Sequence, residues 1–583
     1  MKQLLILFFT LYFGISSYSQ TSINQNTINI PQESIFLHHN STFLITGEFL
    51  YYKIYCLNSE SKKLSKFSKT AYVELINSEF KSVFKHKINL HNGIGEGDYF
   101  IPTDIPSGNY KIVAYTQWMR NGSIDNFYQN DISIINPFQR SQKTINKSNQ
   151  IEDSIIPLSK TSLDKSNANS INKNSIKLNL SSLKYGTREK VTLQLSEIIK
   201  DFYGVYSISV RKIDTIGTFN KINSEEFVLL NSKKEINQIN TSQENIVLPE
   251  LRGELIKGKV YYKDSKAPAS NVKVALSIPG ENFIFKVSNS NHLGNFYFNL
   301  DKEYEGNKAK FQVIDEFSDK YDYNLNLNDT IDFSSLEFEK FSISPSYKNI
   351  ILNHSINNQI ENAYSSVKID SIINITNNPP FYANASKQYV LDDFTRFTTI
   401  KETILEVVEE AFVKQKNNEY SIHVRVYDDN VESDLKSLLL VDGLFIQNHT
   451  DIVNSKANKI KKISVVNEQY IYGSQIFEGI IFMETFNGNY GGLSNSGNEK
   501  NIDLFAPNLN KKYFNQVYSE KENLNRIPDF RLQLVWEPSF AINNNAKSYS
   551  FYTSDIIGDF EISLEGINEN GLPISIREVI TVE

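Results

Sequence analysis

From about residue 34 onward the chain is written in short runs that alternate apolar and polar residues, and this period of two limits its architecture more than any other feature. Successive side chains of a strand face opposite sides, so each such run buries one face and wets the other. Ile35 to Leu37, Phe43 to Leu57, Ala71 to Ile76 and Phe84 to Leu90 follow this pattern and are rich in β-branched and aromatic residues. Gly93, Gly95, Gly97 and Pro106-Ser107-Gly108-Asn109 punctuate them as turns. The expected fold is mainly β and multidomain: serial β-sandwiches with one small α+β unit. A length of 583 residues leaves room for about four domains at roughly 150 residues each. With 40% hydrophobic residues, 38 Phe and 32 Tyr, the chain has the material for several packed cores and is not a disordered polymer.

Charge and cysteine narrow the function classes. Sixty basic against 67 acidic residues give a net charge of -7, so no global positive field draws nucleic acid, and no nucleic-acid partner is expected. Cys56 is the single cysteine and excludes an internal disulfide or a multi-cysteine metal site. Met1-Lys2-Gln3, the apolar run Leu4 to Ile15 and the small residues up to Ser19 form the pattern of a secretory signal peptide, residues 1–19. The chain is therefore expected to be exported, periplasmic or outer-membrane-associated. No later stretch reaches membrane-spanning length, so the mature chain would have no transmembrane segment of its own.

The alternation is interrupted at 141–175, where Ser, Asn, Lys and Gln replace the apolar period, and again at 336–387. Both stretches have linker composition. The folded units between them are expected at 20–140, 176–250, 251–335, 388–490 and 491–583. In the first, Pro106-Ser107-Gly108-Asn109 leads to Tyr115-Thr116-Gln117-Trp118-Met119, which resembles the macroglobulin-like MG2 domain of large secreted Bacteroidetes proteins. Trp118 reads as a packing residue that caps the sandwich rather than as a ligand-stacking one. The second, 176–250, reads as another β-sandwich. In the third, Leu251 to Val260, Pro268 to Gly280 and Gly294-Asn295-Phe296-Tyr297-Phe298 resemble the carboxypeptidase-regulatory, transthyretin-like module, which carries none of the peptidase chemistry. His292 stands alone there and reads as a turn residue.

Residues 388–490 contain the clearest amphipathic helix. Ile400, Ile404, Val407, Val408, Ala411 and Phe412 fall on one helical face, and Thr399 with Glu402 forms a capping box. A strand at 421–427, the run Leu438 to Val441 turning at Asp442-Gly443, a second helix-like stretch at 452–458, the strand Ile460 to Val466, Tyr472-Gly473 and Gly479-Ile480-Ile481 follow in that order. This order resembles the plug domain of TonB-dependent outer-membrane receptors. Only 93 residues remain after it, which is too few for the large barrel of such a receptor. They contain Trp536-Glu537-Pro538, Phe551-Tyr552-Thr553-Ser554-Asp555 and further alternating runs, and read as a small terminal β-sandwich like that ending barrel-less Bacteroidetes proteins.

Catalytic signatures are sparse. None of the eight histidines has metal-ligand spacing; His86 and His91 are the nearest pair and read as two solvated residues. Gly93-Ile94-Gly95-Glu96-Gly97 lacks a following helix that would bind phosphate. Cys56 lies outside the Cys-Gly-Glu-Gln thioester of protease-trapping macroglobulins and reads as a buried thiol. Asp442 reads as a turn residue. No catalytic, cofactor-binding or metal-ligating residue is assigned, no cofactor is expected, and Trp118, Asp442 and Gly443 serve as motif markers only. The resemblances imply a non-enzymatic accessory or binding protein that docks to an outer-membrane barrel protein or envelope assembly. The alternative is a secreted or surface-exposed binding protein of adhesin-like or polymer-recognising type, and a hydrolase site assembled from distant residues stays open.

Overall fold

Tyr52 reaches from one sheet of the first unit of the computed structural model to bond His86 of the other, whereas Tyr55, on the opposite face of the same strand, turns out of the sandwich toward Ser207 and the Glu565 carbonyl; neither is exposed. The structure describes residues 32–140 and 176–583, apart from 197, 215, 217–218, 234–245, 305, 316, 327–329, 374–379, 383–384, 386, 426–434, 489, 491–498, 519–525 and 545–547. The expected signal peptide and first linker lie outside these residues. One sheet of the first unit joins Glu33–His39, Phe49–Asn58 and Ile94–Phe100. The other orders Phe43–Ile45, Tyr128–Ile135, Gly108–Tyr115, Thr70–Asn77 and Ser82–Asn89. The alternation read from the sequence thus becomes a two-sheet sandwich. Cys56 is buried in its core, where burial pushes the thiol well above its ordinary range.

The second sandwich differs from expectation. Residues 176–250 and 491–583 were expected as two sandwiches, yet their strands interleave in one. Gly204–Lys212 lies between Gly558–Ile567 and Gln533–Ile542, and Pro573–Val582 and Lys184–Tyr185 complete that sheet. The facing sheet orders Ser548–Tyr552, Lys190–Ser196 and Lys177–Leu180. Neither segment has enough strands to cover both faces of a core, and each supplies half of a common one containing Tyr206, Ile208, Phe551, Phe560 and Ile562. The cost of closing the long intervening loop grows only with the logarithm of its length, so a return after more than 300 residues is affordable. The tail supplies three ten-residue strands to the joint sandwich, at 533–542, 558–567 and 573–582.

The third unit, called transthyretin-like below only for its sequence resemblance, has one sheet of Asn295–Leu300, Glu254–Tyr262 and Tyr321–Leu325. Its second sheet orders Ile284–Asn289, Lys273–Ile278, Lys308–Ile314 and Glu499–Asp503, so its last strand also arrives from beyond residue 490. The fourth unit, called plug-like below only for its sequence resemblance, is a sheet of Lys387–Val390, Ile460–Val466, Ile480–Thr485, Leu438–Val441 and Leu444–Phe445. Its helix begins where the capping box predicted. The Glu402 amide donates to the Thr399 hydroxyl at 3.2 Å, and the Thr399 amide donates to the Glu402 carboxylate at 3.0 Å.

That helix is Ile400–Val407, shorter than the predicted apolar face. Ala411 and Phe412 instead open the hairpin Ala411–Lys416 with Glu419–Val424, because Asn417 and Asn418 take φ of 50° and 65° and form a turn suited to the strand twist. The later helical stretch is a single turn, Thr450–Val453, followed by a 3-10 turn at Ala457–Lys459. The second linker also needs correcting. It contains the helix Lys348–Ala363, whose Ile351, His354, Ser355 and Asn358 are buried against the Phe43–Ile45 edge of the first sandwich. Asn358 and Asn362 donate to the carbonyls of Thr46 and Gly47 at 3.0 and 2.9 Å. A helix that docks through amides has no apolar stripe to read.

Candidate functional site

The transthyretin-like and plug-like units meet sheet to sheet, and sequence period determines how. Along Lys273–Ile278, Val274, Leu276 and Ile278 point into the sandwich core, while Ala275 and Ser277 present a face of small side chains. The plug-like sheet packs on that face. Leu438, Leu440, Ile480 and Phe482 turn toward it, and Leu439, Val441, Ile481 and Met483 turn toward the plug-like unit's own core beneath the helices. The unbroken apolar run Leu438 to Val441 is therefore buried on both faces. The Phe445 amide donates to the Ser277 hydroxyl at 3.1 Å, and the Gly280 amide donates to the Asp442 carbonyl at 3.0 Å.

Where the two units diverge they leave a groove of about 660 Å³. Its floor is aromatic. Phe283 stacks on Phe482 at 4.9 Å between centroids, Phe381 lies 4.5 Å from Tyr472, and Tyr472 stacks on Phe285 at 5.3 Å. Tyr472 is fixed by donating its hydroxyl to the Phe285 carbonyl at 2.5 Å, and Tyr470 holds the Phe381 carbonyl in the same way at 2.9 Å. Burial pushes the Tyr472 hydroxyl up to about 12, so it stays protonated. The rim carries both signs of charge. Lys286 pairs with Asp301 at 2.6 Å; burial works against the Asp301 anion, but the Lys286 hydrogen bond and charge outweigh it and hold the carboxyl below its usual range.

Asp442, at the groove's edge, and the adjoining Gly443, the sequence markers of this unit, have φ of 47° and 84°. The Asp442 carboxylate is fully used inside the fold: it accepts from the Thr485 amide at 2.8 Å, the Thr485 hydroxyl at 2.5 Å and the Tyr490 amide at 2.9 Å. It is a turn clamp, as its position in the sequence implied. Trp118 is remote from the groove. It is 4% exposed in the 3-10 turn Trp118–Asn121 and meets Phe67 edge-on at 5.7 Å.

The histidine pair does not converge. His86 bonds the Tyr52 hydroxyl at 2.7 Å, and burial lowers its pKa to about 4. His91 reaches Glu303 at 3.2 Å instead, a hydrogen bond that raises its pKa. His292 is exposed in its turn. Among the described residues no group of three or more His, Cys, Asp or Glu side chains is placed to hold a metal ion.

One constellation escaped the sequence. His423 receives or donates a hydrogen bond with the Ser421 hydroxyl at its Nε2, 2.8 Å, and with Glu478 at its Nδ1, 2.6 Å. Ser421 and His423 share a strand face by period two, which could have been read; Glu478 lies 55 residues from His423 and could not. The order is that of nucleophile, base and orienting acid. However, Phe412 stacks on the His423 ring at 5.4 Å, and none of the three lines the groove.

No family model matches the chain, and no curated protein matches it. Among solved structures, the chain is similar to the native conformation of Escherichia coli alpha-2-macroglobulin at 9% identity, covering 95% of this chain and 40% of that one, with a TM-score of 0.24. For Salmonella alpha-2-macroglobulin reacted with methylamine the values are 8%, 94%, 39% and 0.22. For the Escherichia coli protein activated by porcine elastase they are 8%, 94%, 44% and 0.23. The chain thus spans less than half the length of these bacterial macroglobulins. TM-scores this low carry no argument, and the mainly β, multidomain architecture rests on the strand pairing described above.

Proposed function

We propose that this chain is an exported, non-enzymatic binding protein of the outer membrane or periplasm, which docks to a barrel protein or envelope assembly through its plug-like and transthyretin-like units. The observation that carries this reading is the aromatic groove between them. Its floor is held rigid by packing and by tyrosine hydrogen bonds, and its inner carboxylate, Asp442, is engaged in the fold rather than free for chemistry. A preformed cleft with an aromatic floor and a largely polar, mixed-charge rim suits a docked segment of a partner. Both faces of the plug-like sheet are already covered, so docking would use the groove and its rim rather than insertion of the bare sheet into a barrel lumen. Among the described residues no helix is long and apolar enough to cross a membrane.

The test is a photo-crosslinking amino acid in place of Lys461, an exposed rim residue, in the native cells. The expected product is a covalent adduct with an outer-membrane barrel protein or envelope component. Protein recovered only in the medium, without an adduct in the envelope fraction, would overturn the docking reading.

A further inference from the structure

The helix Lys348–Ala363 touches both the first and the second sandwich, and one buried side chain, His354, reaches a carboxylate on each. Its Nε2 lies 3.2 Å from Glu48, in the turn between Phe43–Ile45 and Phe49–Asn58 of the first sandwich. Its Nδ1 lies 3.6 Å from Asp214, just past the end of Gly204–Lys212 of the second. The contact to Glu48 is an ion pair poorly aligned for a hydrogen bond, so its attraction depends on charge. The other Glu48 oxygen accepts from the Ile45 amide at 2.7 Å, which fixes the carboxylate in place, and Phe43 meets the His354 ring edge-on at 6.2 Å.

A carboxylate at each ring nitrogen specifies the protonation state. Neutral imidazole carries one N–H and one lone pair, and here the lone pair would be turned against a negative charge. Only the imidazolium offers a proton to both sides. The charges agree. Arg211 donates to Glu48 at 2.9 Å and neutralises one of the two carboxylates; with an uncharged His354 the buried group of Arg211, Glu48, Asp214 and His354 would be left net negative. Lys212 adds only the weakest of the fields acting on Asp214. Burial works against the charged ring, but the Glu48 and Asp214 carboxylates outweigh it and raise the His354 pKa above 6.5. Burial also raises Asp214, whereas Glu48, in spite of its burial, is drawn by Arg211 and His354 down to about 2.

The helix is otherwise held by neutral amides on the first sandwich, Asn358 and Asn362, and by Glu361, which accepts from the Phe530 amide of the second at 3.1 Å. It straddles the joint and covers Phe43 and Ile45 of an edge strand. We propose that His354 is a pH-sensitive latch: its protonated ring clamps the helix Lys348–Ala363 across the two sandwiches, and loss of that proton on mild alkalinisation frees the helix and uncovers the Phe43–Ile45 edge. A base whose pKa is raised by docking favours the docked state while it is protonated. The clamp is therefore complete below about pH 6.5 and is lost as the pH rises through the docked pKa. Within that window opening becomes easier by up to about tenfold per pH unit, the limit for one proton.

The proposal goes beyond the docking groove and stands without it. Hydrogen exchange of the full chain from about pH 6 to about pH 9, corrected for intrinsic exchange rates, tests it. It is run on wild type and on Glu250→Gln, which removes the titration of a buried carboxyl elsewhere in the first sandwich. The expected result in both is a fall of about tenfold or more in the protection of residues 348–363 across this range, relative to Gly108–Tyr115 in the centre of the first sandwich. His354→Gln should flatten that response and leave 348–363 less protected than wild type at the acid end. Asp214→Asn, which keeps Glu48 and Arg211, should move the midpoint to lower pH, and it decides alone should His354→Gln fail to fold. The proposal is overturned if the protection of 348–363 does not change with pH, or if His354→Gln keeps the wild-type response. It is also overturned if Asp214→Asn leaves the midpoint in place, or if Gly108–Tyr115 loses protection in parallel in the Glu250→Gln chain.

Discussion

Gly443 of the plug-like turn lies against Phe283 of the transthyretin-like hairpin so closely that a Cβ added to the glycine would stand 2.1 Å from the Phe283 Cβ. The two units are interlocked at that point. With φ at +84°, the position also resists any L side chain. Gly443→Ala is expected to lower stability by about 2–4 kcal/mol, from left-handed strain plus overpacking. The control is Gly488→Ala, where φ is +61° but nothing lies within 4 Å of the new Cβ, and only the strain of about 1–2 kcal/mol should appear. Denaturant unfolding of the two variants checks the difference; equal losses would mean the interlock contributes nothing.

Glu250 gives a pH dependence. It is buried beside the joint of the first and third units, with one carboxylate oxygen lacking a partner and the other accepting from the Tyr72 hydroxyl at 3.1 Å. Burial, then the neighbouring Glu254 charge, raises its pKa from 4.5 to about 7. A raised carboxyl favours the folded state while it is protonated. This contribution is complete below about pH 4.5 and is lost progressively as the pH rises to about 7. Glu250→Gln should remove that slope and make the protein more stable than wild type at pH 8, by roughly 3 kcal/mol. Melting temperatures of the two proteins across pH 5–8 provide the measurement, and parallel curves would contradict the assignment.

The split sandwich makes truncation informative. Removing residues 533–583 takes away both neighbours of Gly204–Lys212 and strips the cover from Tyr206, Ile208 and Val210. Hydrogen exchange should then show residues 176–212 unprotected while the first sandwich keeps its slow amides. A chain of independent tandem domains would instead retain protection in both.

The non-enzymatic reading is exposed to test at Ser421. Its hydrogen bond to His423, and that of His423 to Glu478, have the order of an acyl-transfer relay. With His423 only 4% exposed and Phe412 stacked on its ring, the expected outcome with a fluorophosphonate probe is no adduct. An adduct at Ser421 that disappears in His423→Ala would make the protein a hydrolase.

Local patterns in the sequence determined a good deal. Period-two alternation marked most strands, Thr399 and Glu402 marked the start of a helix, and Asp442-Gly443 marked a turn whose carboxylate is consumed by its own neighbours. Each of these depends on residues a few positions apart, where backbone geometry dictates the contacts. Tertiary structure alone decided the rest: that Gly204–Lys212 finds its partners more than 300 residues away, that Ala275 and Ser277 face a second unit instead of water, and that an amide-bearing helix docks where a linker was expected. The physical reason is common to all three. An alternating strand states which face must be buried but not what buries it, and the choice of cover belongs to the whole chain.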